Sequence, residues 1–182
     1  MRHVLAATAL LLLSACSPEY DWREIRSHEH GYAVMLPGKP ASMSRRINLD
    51  GLEVPMSMQG AKVGDTAFTV AVADLPDASP ATRERALAAM RAGMLRNVGA
   101  NGAGDVAAAV VPIGDAQGKA LGAGQAVIVR AHGAGPAPPL SIAAGFTAQG
   151  ARAWQWVALG PALDPDQTQT FLGSFKLLRA AP

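Results

Sequence analysis

The sequence is short of cysteine, aromatic residues and charge. Of its 182 residues one is cysteine, 5% are aromatic and 16% are charged. A chain with one cysteine cannot form an internal disulfide, so its fold must be stabilised by its core alone. The formal net charge is only +2, which is not the strongly basic balance typical of proteins that bind nucleic acid. We therefore expect no nucleic-acid partner.

The one cysteine lies directly after the longest apolar run. Two basic residues stand near the start of the chain, an almost unbroken apolar run covers residues 4–13, and two small residues precede Cys16. This order is typical of a secretory signal peptide. The run is too short for a transmembrane helix, which needs about 20 apolar residues. The pattern predicts a signal peptide over residues 1–15 and a mature chain the size of one domain.

The residues at the end of this segment, Leu13-Ser14-Ala15-Cys16, resemble the lipobox of bacterial lipoproteins. In that family a peptidase cleaves before the cysteine, whose thiol carries a diacylglycerol. The resemblance implies lipidation of Cys16 and attachment to a membrane through the N-terminal lipid, because two or more acyl chains give a stable anchor. Ser17, rather than aspartate, follows the cysteine, and in well-studied lipoproteins this favours the outer membrane, facing the periplasm. An ordinary signal peptide cut after Ser17, or one left uncut, remains an alternative.

The rest of the chain reads as one domain. Residues 16–23 are predicted to be the lipidated cysteine and a polar tether, and residues 24–182 a single α+β domain. Alternating apolar residues bounded by turn formers predict strands over residues 32–36, 43–47, 52–58, 67–73, 106–113, 125–131, 140–148 and 153–159. The first four are expected to form an antiparallel meander.

Two segments have a helical period. Ser79 and Pro80 are typical of a helix start, and the spacing predicts a helix over 81–98 that packs on the sheet through Leu87, Met90 and Met94. Near the end of the chain, Asp-Pro-Asp-Gln at 164–167 predicts the start of a short second helix.

Two short motifs resemble the PsbP-like superfamily. They are GYAVMLPGKP at 31–40 and FLGSFKL at 171–177. The resemblance implies an α+β fold in which helices pack on the faces of an antiparallel sheet, a PsbP-like sandwich. Proteins of this superfamily bind partners in larger assemblies and are generally not enzymes. No partner-binding residue of the superfamily can be matched to this sequence.

His28-Glu29-His30 is the candidate for a metal site. In an extended segment both imidazoles would lie on one face and could chelate a divalent ion. A closed zinc site normally takes four ligands, and His132 is the one further histidine of the mature chain. We therefore expect a solvated segment and no bound metal.

Cofactor and catalytic motifs are incomplete. The segment 114–119 is one residue short of a phosphate-binding loop, and Ala120 stands where serine or threonine would bind magnesium, so a hairpin loop is the simpler interpretation. The sequence has no Gly-x-Ser-x-Gly elbow, its thiol is expected to be lipidated, and Asp164 and Asp166 are explained by helix capping. We expect no cofactor, no catalytic residues and no enzymatic activity.

Two groups of large side chains could form contact surfaces. Trp154 and Trp156 share one face of a predicted strand, where core packing is favoured over a binding platform. Arg85 and Arg96 should point away from the core. They are our candidates for contacting a partner, because arginine is enriched at interfaces, although a solvated helix face would look the same.

These features predict a lipid-anchored, non-catalytic module of the cell envelope that binds an envelope protein or supports assembly. The alternative is a small-ligand binder, or a cryptic hydrolase, that uses a pocket between sheet and helix.

Overall fold

Ten strands and two helices lie in residues 19–100, 104–134 and 139–179, the parts of the chain that the computed structural model describes. In chain order they are β1 (Arg23–Ser27), β2 (Tyr32–Leu36), β3 (Ala41–Leu49), β4 (Leu52–Val63), β5 (Thr66–Asp74), α1 (Pro80–Asn97), β6 (Asp105–Gly114), β7 (Ala120–His132), β8 (Ser141–Gln149), β9 (Arg152–Gly160), α2 (Pro165–Ser174) and β10 (Lys176–Leu178). Cys16 and the predicted signal peptide lie outside the described residues. No helix in the described ranges is long and apolar enough to cross a bilayer.

All ten strands belong to one curled sheet. Their order is β1-β2-β10-β6-β7-β8-β9-β5-β4-β3. Neighbouring strands are antiparallel except β10 and β6, which run parallel, so the sheet is mixed. The short last strand therefore joins the N-terminal hairpin β1–β2 to the rest of the sheet.

This architecture corrects the predicted fold class. Strands make up 55% of the structure and helices 18%, so the protein is one curled, mixed, ten-stranded sheet with two helices against it, and not the predicted α+β sandwich. The strand predicted over 32–36 is confirmed, and the one over 140–148 is displaced by one residue. Others were predicted too short: the strand predicted over 52–58 continues to Val63, and the one over 125–131 begins at Ala120. These extensions are held by backbone pairing with a neighbouring strand while many of their side chains stay exposed, so they carry no apolar alternation.

The helix predicted over 81–98 is present as α1. Ser79 caps its N-terminus, where the side-chain hydroxyl accepts a hydrogen bond from the Thr82 amide at 3.2 Å. Met90 is 3% exposed, and Leu87 and Met94 are half-buried against the same side of the sheet. We call the buried residues on this side the α1-side cluster; they include Ala86, Met90, Val129, Ile142, Phe146, Ala153 and Val157.

The opposite side of the sheet packs against α2. Asp164 caps this helix by accepting a hydrogen bond from the Gln167 amide at 2.9 Å, as its sequence predicts. The predicted core role of Trp154 and Trp156 is confirmed, since both are buried on this side. Trp156 stacks on Phe175 with a centroid distance of 4.1 Å and an interplanar angle of 4°. This aromatic stack fixes the C-terminal segment on the sheet.

Tyr32 brings a polar group into the same core. Its hydroxyl donates a hydrogen bond to Oε1 of Gln59 at 2.9 Å. Burial raises the pKa of Tyr32 to about 12, so the phenol remains protonated, and able to donate, through the neutral range.

Aromatic contacts begin within the segment predicted as a tether. Tyr20 and Trp22 stack at 5.8 Å, and both meet Phe68 edge-on. Trp22 Nε1 also donates a hydrogen bond to Oε1 of Gln167 on α2 at 2.9 Å. The packed domain therefore includes Tyr20 and Trp22, beside the first turn of α2.

Candidate functional site

The candidate contact arginines lie on the solvent side of α1. Arg85 and Arg96 are both exposed. Eleven residues, about three turns, separate them, so they lie on the same side of the helix roughly 16 Å apart. Arg83, in contrast, donates hydrogen bonds to the carbonyl oxygens of Ala78 and Gly150 and so serves the local fold. Arg85 and Arg96 are placed as predicted, while their contact with a partner stays a prediction.

An apolar groove, which sequence reasoning missed, runs between α1 and the β6–β7 hairpin. It has a volume of about 650 Å³, and its lining includes Leu87, Ala108, Val110, Ala126, Val127 and Phe146. Val110 is 75% exposed and Val106 on the same strand is 53% exposed. They are exposed because α1 packs mainly on β8, β9 and β3 rather than on β6. The alternation of Val106, Ala108 and Val110 indicated a strand, but not that this face would stay uncovered.

The groove and the exposed arginines flank the same helix. Leu87 lines the groove, and Arg91, one turn later, lies on the same flank. Each residue of an α-helix is rotated by about 100° around the helix axis, so Arg85 and Arg96 lie roughly half a rotation away from Leu87, on the other flank. The exposed top of α1 lies between the two flanks, so one partner covering α1 would contact both.

The His28-Glu29-His30 segment forms the turn between β1 and β2 rather than an extended stretch. Gly31, at φ +69°, completes the turn. The carbonyl of His30 accepts a hydrogen bond from Nε1 of Trp154 at 2.9 Å, which ties the turn to the sheet. Within the described ranges no group of three or more His, Cys, Asp or Glu side chains is placed to hold a metal ion.

The glycine-rich segment 114–119 is the loop between β6 and β7, so the predicted hairpin is confirmed. The Asp115 carboxylate accepts hydrogen bonds from the backbone amides of Gln117 at 3.0 Å and Lys119 at 2.8 Å. The amides that a phosphate would need are thus used by the loop's own aspartate.

A second cavity lies on the other side of the sheet, against the start of α2. We call it the α2-side cavity; its volume is about 830 Å³. It is bounded by Ala100 and Gly104 between α1 and β6, the start of β6, the end of β7, the start of β8, the β9–α2 connection and the first turns of α2. Its polar lining consists of Asp105, Arg130, His132, Ser141, Thr168 and Gln169. Volumes of about 300–1,000 Å³ are typical of small-ligand sites.

A serine and a histidine meet in this cavity. Ser141 Oγ and His132 Nδ1 are 2.7 Å apart, across the paired strands β8 and β7. In serine hydrolases the histidine is oriented by a carboxylate on its other ring nitrogen; in the described parts of this chain no carboxylate hydrogen-bonds His132. Ser141 is only 5% exposed, so its hydroxyl is poorly open to attack a substrate. The pair is better suited to hydrogen bonding than to catalysis.

Thr168 leaves a polar atom unused beside the cavity. The residue is 6% exposed, and its Oγ1 is the buried side-chain oxygen for which the described residues supply no hydrogen-bond partner. A buried hydroxyl without a partner costs about 1–3 kcal/mol. The Thr168 hydroxyl on α2 is therefore available to hydrogen-bond a molecule in the cavity.

The comparisons with known proteins show a likeness in structure but none in sequence. No protein-family model matches the chain, and no curated protein matches it in sequence. The chain is similar in structure to the solution structure of cyanobacterial PsbP (CyanoP) from Synechocystis sp. PCC 6803, with a TM-score of 0.47 and 11% identity over 93% of this chain and 99% of that one.

Proposed function

We propose that the protein is a lipid-anchored, non-catalytic module of the cell envelope that binds a protein partner through the exposed top and flanks of α1. The observation that supports this most is the uncovered apolar groove beside α1, which is lined in part by Val110, 75% exposed. An exposed apolar face rimmed by charge is typical of a protein–protein contact surface.

The charge of α1 indicates the chemistry of the partner. The helix carries four arginines and one glutamate, and complementary charge steers association and suppresses wrong partners. The partner that fits is an envelope protein presenting an apolar segment flanked by acidic residues. The apolar segment would enter the groove, and the acidic residues would meet Arg91, Arg85 and Arg96.

A lipid anchor would favour this role. Anchoring confines the domain to one membrane surface and raises its effective concentration against partners in or near that membrane. The proposed location is the outer membrane, facing the periplasm, in line with Ser17 after the cysteine.

We expect Cys16 to be the first residue of the mature protein and to carry acyl chains. The intact mass of protein extracted from membranes should exceed that of residues 16–182 by the mass of a diacylglycerol, with or without a third acyl chain. A Cys16→Ser variant should lose the added mass and leave the membrane fraction. A mature chain starting at Pro18, or one retaining Arg2, would contradict lipidation.

We expect photocrosslinkers at positions 85, 96 and 110 to capture the same envelope protein in living cells, because all three border the exposed part of α1 or its groove. Position 44 is the matched control, since Ser44 is exposed on the edge strand β3. Val110→Asp should abolish capture from 85 and 96 by placing a charge in the groove. Capture from 110 alone would show that the arginine pair is not part of the surface, and silence at all three positions would contradict partner binding through α1.

A further inference from the structure

The α2-side cavity brings together two opposite charges that the fold does not pair. Asp105 on β6 and Arg130 on β7 are register partners, so their side chains leave the sheet side by side on the same face. Both line the cavity. In the described parts of the chain, ion pairs join Arg23 to Asp21, Arg26 to Glu24 and Arg152 to Asp74; neither Asp105 nor Arg130 takes part in one.

The charge pattern selects a class of ligand. A guanidinium binds a carboxylate through two parallel hydrogen bonds, and an aspartate accepts hydrogen bonds from an ammonium group. An anion would be attracted by Arg130 but repelled by Asp105. A cation would be attracted by Asp105 but repelled by Arg130. A head group that carries an ammonium and a carboxylate on one carbon satisfies both neighbouring residues at once.

The rest of the cavity can accommodate a mainly apolar side chain of the ligand. Ala143, Pro161, Leu163 and Pro165 line it beside the polar groups. Its volume of about 830 Å³ exceeds what the head group needs. Gln169, Ser141 and Thr168 line the same cavity, and the Thr168 hydroxyl has no hydrogen-bond partner among the described residues.

We propose that the α2-side cavity binds a small zwitterion with the head group of an α-amino acid and a large, mainly apolar side chain. In the complex the Arg130 guanidinium binds the carboxylate and the Asp105 carboxylate binds the ammonium. This site is on the opposite side of the sheet from the proposed partner surface, and it does not depend on that proposal.

The test measures binding of phenylalanine and two blocked analogues to the full chain, purified in detergent, by isothermal titration calorimetry. N-acetylphenylalanine lacks the ammonium, and phenylalanine amide lacks the carboxylate. We expect saturable binding of phenylalanine and about 10- to 100-fold weaker binding of each analogue, because each loses one charged hydrogen-bonding contact.

Two variants assign the contacts. Arg130→Gln and Asp105→Asn should each weaken phenylalanine binding by about 10- to 100-fold, while Arg45→Gln, an exposed arginine on β3, should leave it unchanged. The analogues should be selective: N-acetylphenylalanine should bind Asp105→Asn at least as tightly as the wild type, and phenylalanine amide should bind Arg130→Gln at least as tightly, because each substitution removes a charge that repels that analogue. Melting temperatures without ligand would show that the variants are folded.

Three outcomes would overturn the proposal. Equal affinity for phenylalanine and N-acetylphenylalanine would mean a simple anion site. Phenylalanine binding that survives both folded variants would place the ligand elsewhere. No saturable binding at millimolar concentrations would refute an amino-acid-type ligand, whatever the result of the crosslinking at α1.

Discussion

Replacing Gly145 by alanine is expected to destabilise the protein by about 3 kcal/mol, the upper end for overpacking a core. Gly145 lies on β8 directly opposite Trp156 on β9, and a Cβ at Gly145 would overlap the Trp156 indole. The indole cannot move away, because it stacks on Phe175 at 4.1 Å and donates a hydrogen bond to the Leu172 carbonyl at 3.2 Å. One added methyl group would therefore disturb the contact between the sheet and the C-terminal segment.

The measurement is thermal unfolding, in which the midpoint should fall by roughly 6–12 °C for a domain of this size. Gly124→Ala is the matched control, since Gly124 also lies inside a strand, and the nearest atoms to an added Cβ, on Ile113 and Leu177, would be 3.7 Å away. It should change the midpoint little. Equal effects of the two substitutions would show that the Trp156 indole is free to shift.

The local features of the fold could be predicted from the sequence. The starts of both helices could be predicted, because Ser79 and Asp164 each accept a hydrogen bond from a backbone amide three residues later. Pro80 and Pro165 fit the first position of a helix. The core role of Trp154 and Trp156 followed from size and from their spacing along one strand. Each of these predictions rests on residues close together in the chain.

The order of the strands could not be predicted in the same way. The parallel pairing of β10 with β6 joins residues more than 60 positions apart, such as Leu177 and Ile113. Nothing in either segment specifies the other as its neighbour. The prediction of an antiparallel sandwich was wrong for this reason, and also because the long hairpins β3–β4 and β6–β7 raise the share of strand.

The candidate sites were missed for a related reason. Val106 and Val110 were correctly placed on a strand, but whether an apolar face is covered depends on where a helix from another part of the chain comes to rest. Likewise, Asp105 and Arg130 are unremarkable in the sequence and become a pair only through the register of β6 and β7. Arg85 and Arg96 could be named in advance, because a helical period alone decides which residues point away from the core.

The two sides of the sheet suggest two separate roles. The α1 side has an apolar groove and a basic helix open to large partners, whereas the α2 side has a partly open cavity of small-ligand size. The α2 side is also where Tyr20 and Trp22 pack, beside the first turn of α2.

Replacing Met90 by aspartate is expected to unfold the domain. Met90 is 3% exposed in the α1-side cluster. A carboxylate there would be buried without a partner, at a cost of at least about 4 kcal/mol, much of the 5–15 kcal/mol that stabilises a typical domain. Loss of the cooperative transition in thermal unfolding followed by circular dichroism is the expected result. Met43→Asp is the matched control, because Met43 is 52% exposed on β3 and should cost no more than about 0.5 kcal/mol. If Met90→Asp melts like the wild type, α1 does not pack on the sheet through this face. The groove between Leu87 and β6 would then also be wrong.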